Sequence, residues 1–311
     1  MSVGPRVAKG DSLPPVTLRI GMVINPTSGK NTGGRIGTEA ATLLRARGHE
    51  IVDLSGMDAD SAKGRAREAL AQGRIDRLVV SGGDGMVHLG LNLCAQTDVP
   101  LGIIAAGTGN DIARELGLPV RNAIEAVERI ERGTARRVDL ARSVIGDGST
   151  IWFGGVLAAG FDAVVNERAN GWRWPKGQMR YTLAILRELP VFRAIPYVLT
   201  LDGERIETEA MLVAVGNGPA YGGGMKVVPG AKFDDGLLDI LVLSRISTPE
   251  FLRVFPKVFS GAHVDHPAVT IHRAHRVHLE ATGIVGYADG ERFAPLPLSC
   301  EVVPGALTVL T

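Results

Sequence analysis

Three observations predict an α/β domain on a mostly parallel sheet, followed by an antiparallel β domain. Apolar, β-branched runs alternate with stretches of helical spacing from residue 16 to about 133. That is the pattern of strands joined by crossover helices. Three of these runs end in turns of glycine and small polar residues: Asn25-Pro26-Thr27-Ser28-Gly29, Gly82-Gly83-Asp84-Gly85 and Gly107-Thr108-Gly109-Asn110-Asp111. From Arg136 onward short apolar strands dominate, with Asp202-Gly203 and Asp289-Gly290 as hairpin signals.

Taken in order, residues 1–15 read as a disordered leader, and Val16 to Ile24 as the first strand. Ile36, Ala40, Leu43 and Leu44 fall on one helix face, and Gly48 ends that helix. Glu50 to Leu54 is a strand. Ala62, Ala66, Ala69 and Leu70 mark a helix that Gly73 closes. Arg77–Val80 is the third strand, Met86 to Cys94 a helix, and Pro100 to Ala105 the fourth strand. Ile112 and Leu116 begin one more helix; Ala123, Ile124, Val127 and Ile130 mark another. Strands are then expected at 136–144, 151–159, 196–201, 205–216, 236–243, 269–280 and 283–288, with helices near 161–169, 177–189 and 248–259.

The 311 residues suffice for two domains, and 45% apolar residues allow a sizeable core. A net charge of +1 gives no reason to expect nucleic acid as a partner. Cys94 and Cys300 are far apart and make no metal spacing, so Cys94 reads as a core thiol and the chain as cytoplasmic. No stretch of 18 uncharged apolar residues exists, so any membrane contact is expected to be peripheral.

The chemistry concentrates in the three turns. A strand feeding a glycine-rich turn feeding a helix is a phosphate-binding arrangement, because backbone N–H groups and the helix N-terminus both face an anion. Ligands of parallel sheets bind outside the carboxyl ends of the strands. One such turn is a weak signal; three on one sheet edge are a strong one. Asp84 is the side chain of its turn able to engage metal or phosphate-bound water.

These motifs are followed by Asp235-Gly236-Leu237-Leu238-Asp239 and Asp289-Gly290-Glu291. In that order they resemble the diacylglycerol kinase catalytic domain family, which includes sphingosine and ceramide kinases. They are similar more distantly to NAD kinases and phosphofructokinases, which share Gly-Gly-Asp-Gly. The resemblance covers about residues 16–311 and is closest to soluble bacterial lipid kinases; Trp174-Pro175, Tyr221-Gly222-Gly223-Gly224 and Tyr287-Ala288-Asp289-Gly290 look actinobacterial. It implies an NAD kinase-like α/β N-terminal domain, 16–138, and a C-terminal antiparallel β-sandwich for the lipid substrate, 139–300. A last strand in 301–311 could return to the first domain; the sequence leaves this open.

The resemblance further implies an ATP-dependent kinase that phosphorylates diacylglycerol or a similar lipid alcohol at a membrane surface, on the inner face of the plasma membrane. Asn25, Pro26, Thr27, Ser28, Gly29, Gly83, Asp84, Gly85, Met86 and Thr108 would lie on the nucleotide. Asp84 and Asp111 would organise a catalytic Mg²⁺, and Glu291 would be the general base. Asp235, with the backbone carbonyls of Lys232 and Leu237, would hold a structural Mg²⁺ that Asp139 links to the site through water. A second copy of the chain is a candidate partner.

Where the family continues Gly-Gly-Asp-Gly with Thr, a spacer, Asn and Glu, this chain has Met86, Val87, His88 and Leu89. A hydroxyl, an amide and a carboxylate are lost beside the nucleotide. His88 could replace one polar contact, although such a histidine is more often structural. Where many relatives place a threonine after the second strand, Ser55 or Gly56 stands. His272, His275 and His278 lie in one expected strand with no carboxylate or cysteine to complete a metal site. Trp172, Arg173, Trp174 and Lys176, with Leu186, Leu189 and Phe192 after them, suit either a membrane interface or packing on the β domain. Alternative acceptors are a sphingoid base, another lipid alcohol or NAD; a non-catalytic nucleotide or lipid sensor is the remaining reading.

Overall fold

A computed structural model describes residues 17–145, 148–172, 183–185, 187–188 and 192–311. The first domain runs β1 (Arg19–Ile24), α1 (Ser28–Ala46), β2 (Glu50–Asp53), α2 (Ala59–Ala71), β3 (Arg77–Gly82), α3 (Asp84–Cys94), β4 (Leu101–Ala105), α4 (Asp111–Glu115) and α5 (Ala123–Arg132). β1 pairs in parallel with β2 and β3, and β3 with β4. Both faces of this sheet are buried. Leu78 and Val80 face a core shared with α2 and α3, while Val79 faces one shared with α1 and α5. This double burial is why the strands read as continuous apolar runs rather than alternating ones.

The second domain comprises β5 (Ala135–Val144), β6 (Thr150–Phe153), β7 (Val156–Gly160), α6 (Phe161–Asn170), β8 (Ile195–Leu201), β9 (Glu204–Gly216), β10 (Leu238–Ser244), α7 (Thr248–Val254) and β11 (Val269–Ala274). β12 (Arg276–Glu280), β13 (Val285–Ala288), β14 (Glu291–Pro295) and β15 (Leu298–Leu310) complete it. Its pairings are antiparallel, and its strands form the β-sandwich. β15 lies along β5 for most of its length, and its Val309 pairs in parallel with Leu101 of β4. One strand thus belongs to the ladders of both domains. Among the described residues no helix is long and apolar enough to cross a membrane.

Two expected strands are broken. The run 151–159 divides at Gly154 and Gly155, whose amides turn aside to donate to Asp289. The run 269–280 divides at His275, where Asp202 accepts the amides of His275 and Arg276. His272 on β11 and His278 on β12 therefore sit in different ladders, paired with Ile240 and Thr200 respectively. The expected helix at 177–189 falls largely outside the described residues, as do Arg173, Trp174, Lys176, Leu186 and Leu189. Trp172 and Phe192 pack against the second-domain core.

Candidate active site

The three glycine-rich turns meet at the carboxyl ends of β1, β3 and β4. Their approach is so close that side chains are excluded. A Cβ on Gly29, which has φ +57°, would stand 2.2 Å from the carbonyl of Ala106; one on Gly107 would stand 2.3 Å from Cα of Gly83. Thr27 and Gly83 begin α1 and α3 without a side-chain cap, so no side-chain oxygen covers these helix starts, where an anion is favoured. Asn25 uses its side-chain oxygen to accept the amide and hydroxyl of Thr27, which shapes its turn.

Asp84 is the hub. Its Oδ2 accepts the amide of Asn110 at 2.8 Å and its Oδ1 that of Asp111 at 2.6 Å. Asn110 adopts φ +57° and closes its own turn with two bonds to the backbone of Gly107. Burial, and then the neighbouring Asp111 carboxylate, push the Asp84 carboxyl up; the two amides pull it down. Asp111 is itself buried. Its Oδ2 accepts the Gly223 amide at 2.7 Å, and its Oδ1 is buried with no hydrogen-bond partner. An orphaned carboxylate oxygen beside a second carboxylate fits a hard cation such as Mg²⁺, which prefers oxygen donors.

Glu291 opens β14 and comes from the other domain. Its Oε1 lies 3.2 Å from where a Cβ of Gly85 would be, which is the turn that carries Asp84. It is exposed, and its carboxylate makes no hydrogen bond or ion pair among the described residues, so its lone pairs are free to take a proton. The turn before it, Asp289-Gly290, has both φ values positive, at 53° and 85°, as a two-residue type I′ hairpin requires. Asp289 accepts the amides of Gly154 and Gly155 and faces the His88 ring. Glu167 of α6 accepts from Tyr287 and Arg292 on either side of the hairpin. The base-bearing turn is thus fastened on three sides. Asp84, Thr108, Asp111, Tyr221, Gly223, Asp289 and Gly290 line one cleft of about 510 Å³.

Met86 packs beside its phosphate turn, with Cγ 2.4 Å from where a Cβ of Gly82 would be. It is half-buried against the first-domain core, as is Leu89. Apolar packing has taken the place of the hydroxyl and carboxylate expected there. Asp139 and Asp235 lie apart from the phosphate turns. Asp139 accepts the amides of Gly236 and Gly305, at 2.8 and 2.7 Å. Asp235 forms an ion pair with Arg273, which also approaches Asp239 at 3.5 Å. No group of three or more His, Cys, Asp or Glu side chains suited to a metal occurs among the described residues. The Arg273 guanidinium thus meets the carboxylate that, with the Lys232 and Leu237 carbonyls, is expected to hold a structural Mg²⁺.

Glu167 and the Gly154-Gly155 break are site features that sequence reasoning passed over. Asp289 and Gly223 carried a signal, as parts of the hairpin turn before Glu291 and of the 221–224 glycine run, but without the bonds the fold gives them.

Comparison with known proteins agrees with this architecture. The diacylglycerol kinase catalytic domain model matches residues 19–143, and the YegS C-terminal NAD kinase beta sandwich-like domain model matches residues 155–311. A diacylglycerol kinase of Mycobacterium tuberculosis (strain ATCC 25618 / H37Rv) is 44% identical over 293 residues, covering 94% of each chain. One from Bacillus subtilis (strain 168) is 28% identical over 90% of this chain and 91% of its own. A crystal structure of a diacylglycerol kinase from Bacillus anthracis str. Sterne superposes with TM-score 0.72 at 27% identity, covering 94% of this chain and 96% of that one. An NAD kinase from Archaeoglobus fulgidus in complex with ATP shares the fold alone, with TM-score 0.51 at 14% identity and 94% of each chain covered. Both halves of the chain, and the relatives that span nearly all of it, lead to one conclusion: this protein belongs to the diacylglycerol kinase family of lipid kinases.

Proposed function

We propose that the chain transfers the γ-phosphate of ATP to the free hydroxyl of diacylglycerol, giving phosphatidic acid and ADP. The observation that carries this reading is the unpaired Glu291 carboxylate, brought from the second domain onto Gly85 beside Asp84. Phosphoryl transfer needs positioning and charge neutralisation more than covalent help. The amides at the three turns hold the phosphates. Asp84 fixes the Asn110–Asp111 backbone and so sets the Asp111 carboxylate in the cleft wall. Mg²⁺, when bound there, neutralises phosphate charge. Glu291 takes the hydroxyl proton as the acceptor oxygen bonds to phosphorus and the bond to the ADP oxygen breaks.

A lipid acceptor is favoured over a dinucleotide by the cleft's surroundings. Ile185, Tyr221, Met225 and Phe255 are shared with an apolar recess of about 90 Å³, walled by Phe161, Leu212, Leu241 and Phe251. Such walls suit part of an acyl chain; among the described residues the recess offers a second nucleotide only the Asp162, Tyr221 and His263 side chains as polar partners. The test is a panel of diacylglycerol, sphingoid base, ceramide and NAD, the lipids in mixed micelles, with Mg²⁺ and labelled ATP. Labelling of diacylglycerol is expected. Labelling of another acceptor alone would replace it, and ATP binding without any labelled product would favour a sensor.

A further inference from the structure

Glu167 of α6 takes two bonds on one oxygen. Its Oε1 accepts from the Tyr287 hydroxyl at 2.7 Å and from Nε of Arg292 at 2.8 Å. The two donors stand on different strands. Tyr287 and Arg292 pair directly across the β13–β14 hairpin, one step further from the turn than the pair Ala288 and Glu291. Successive side chains of a strand point to opposite faces, and residues paired across two strands share one face. The face that Glu167 binds is therefore the reverse of the face from which Glu291 reaches Gly85.

The hairpin needs such a clamp. β13 is fixed on its far side by β7, where Tyr287 pairs with Ala158. β14 is an edge strand of five residues, paired with β13. Its ladder is irregular: the register shifts between Gly286 and Tyr287, which leaves Phe293 as an extra residue. A slip of one residue would turn Glu291 to the face away from Gly85. The anchor itself is firm. Phe161 and Val165 of α6 are buried in the second-domain core, and Arg168 pairs with Glu188 at 2.6 Å. The bond from Tyr287, and then that from Arg292, hold the Glu167 carboxyl below its ordinary range. The same helix walls the acceptor's space: Asp162 lines the apolar recess, and Asn166, which donates to Asp162 at 3.0 Å, lines the cleft.

We propose that Glu167 is a positioning residue for the phosphoryl transfer. By joining Tyr287 of β13 to Arg292 of β14 it locks the register that presents Glu291 to the acceptor hydroxyl, and it does so from the helix that lines the acceptor's recess. The inference rests on the lipid kinase reading for the reaction that is served, but not for the clamp.

The test combines turnover of diacylglycerol with backbone hydrogen exchange of residues 291–294, for wild type, Glu167→Ala, Glu167→Gln, Glu291→Gln and Glu167→Ala/Glu291→Gln. Glu167 and Arg292 are both about half-exposed, and so exposed a pair adds little to overall stability. Glu167→Ala should therefore keep the wild-type melting temperature and KM for ATP, while kcat falls about ten- to a hundredfold and exchange in β14 speeds up. Glu167→Gln, which keeps an oxygen able to accept from both donors, should recover most of the rate. Because Glu167 acts through Glu291, the double variant should stay within about twofold of Glu291→Gln alone. Wild-type kcat in Glu167→Ala, losses that multiply in the double variant, or unchanged exchange in β14 would each overturn the positioning role. A wild type that labels no acceptor, with β14 exchange still quickened in Glu167→Ala, overturns the kinase reading instead.

Discussion

The Nδ1 atom of His88 lies 3.1 Å from Oδ2 of Asp289, joining helix α3 of one domain to the hairpin turn of the other. The Asp289 side chain is 2% exposed, and its remaining bonds go to the amides of Gly154 and Gly155. One buried carboxylate thereby holds α3, which begins at Asp84, against the turn that leads into Glu291. Asn92 supports the ring from the next turn of α3 and bonds the backbone of Trp152. His88→Ala should remove a donor and leave Asp289 short of a partner, a loss of about 1–3 kcal/mol. Steady-state kinetics should show kcat reduced about tenfold or more with the KM for ATP little changed. His88→Asn, which restores an N–H donor, should recover most of the rate.

The phosphate turns predict a sharp contrast between glycines. A Cβ at Gly107 would meet backbone atoms of Gly83 at 2.3 and 3.1 Å, and backbone cannot step aside cheaply. Gly107→Ala should cost about 1–3 kcal/mol in urea unfolding and weaken ATP binding in calorimetric titration. Gly64, in the interior of α2, has open space around it. Gly64→Ala should instead stabilise by about 0.5–1 kcal/mol.

The corner at His275 makes a prediction about pH. Backbone amides of His275 and Arg276, and the His275 ring, hold the Asp202 carboxyl below its ordinary range. A folded value below the unfolded one gives stability that is present above the unfolded value, about 4, and is lost as pH falls through the folded one. Asp202→Asn should therefore be less stable than wild type at neutral pH. The difference in urea midpoints should close as the pH is taken below the ordinary aspartate value.

Both cysteines are buried, and burial pushes their thiols up to about 12. Native protein should react with a thiol reagent only as fast as it unfolds, and two equivalents should appear at once in denaturant.

Much of this was legible in the chain because its signals are local. Leu78-Val79-Val80 before Gly82 to Gly85 needs no distant partner to be read as strand and phosphate turn. Asp289-Gly290 announces its hairpin in the same way. What escaped is set by residues far apart. Gly154 and Gly155 look like mid-strand glycines until Asp289 claims their amides. His275 looks like mid-strand sequence until Asp202 does the same. The strand Glu291–Pro295 carries no clean alternation and ends in proline, so only its pairing with β13 reveals it. Met86 and Leu89 read as missing contacts, whereas in the fold they pack, half-buried, against the first-domain core.

The most direct test of the central claim is transfer of labelled γ-phosphate from ATP to diacylglycerol by Glu291→Gln at saturating ATP. Removal of a general base should lower kcat by about 10²- to 10⁴-fold, while ATP affinity and the melting temperature stay at their wild-type values. A Glu291→Gln enzyme turning over at the wild-type rate would contradict the account.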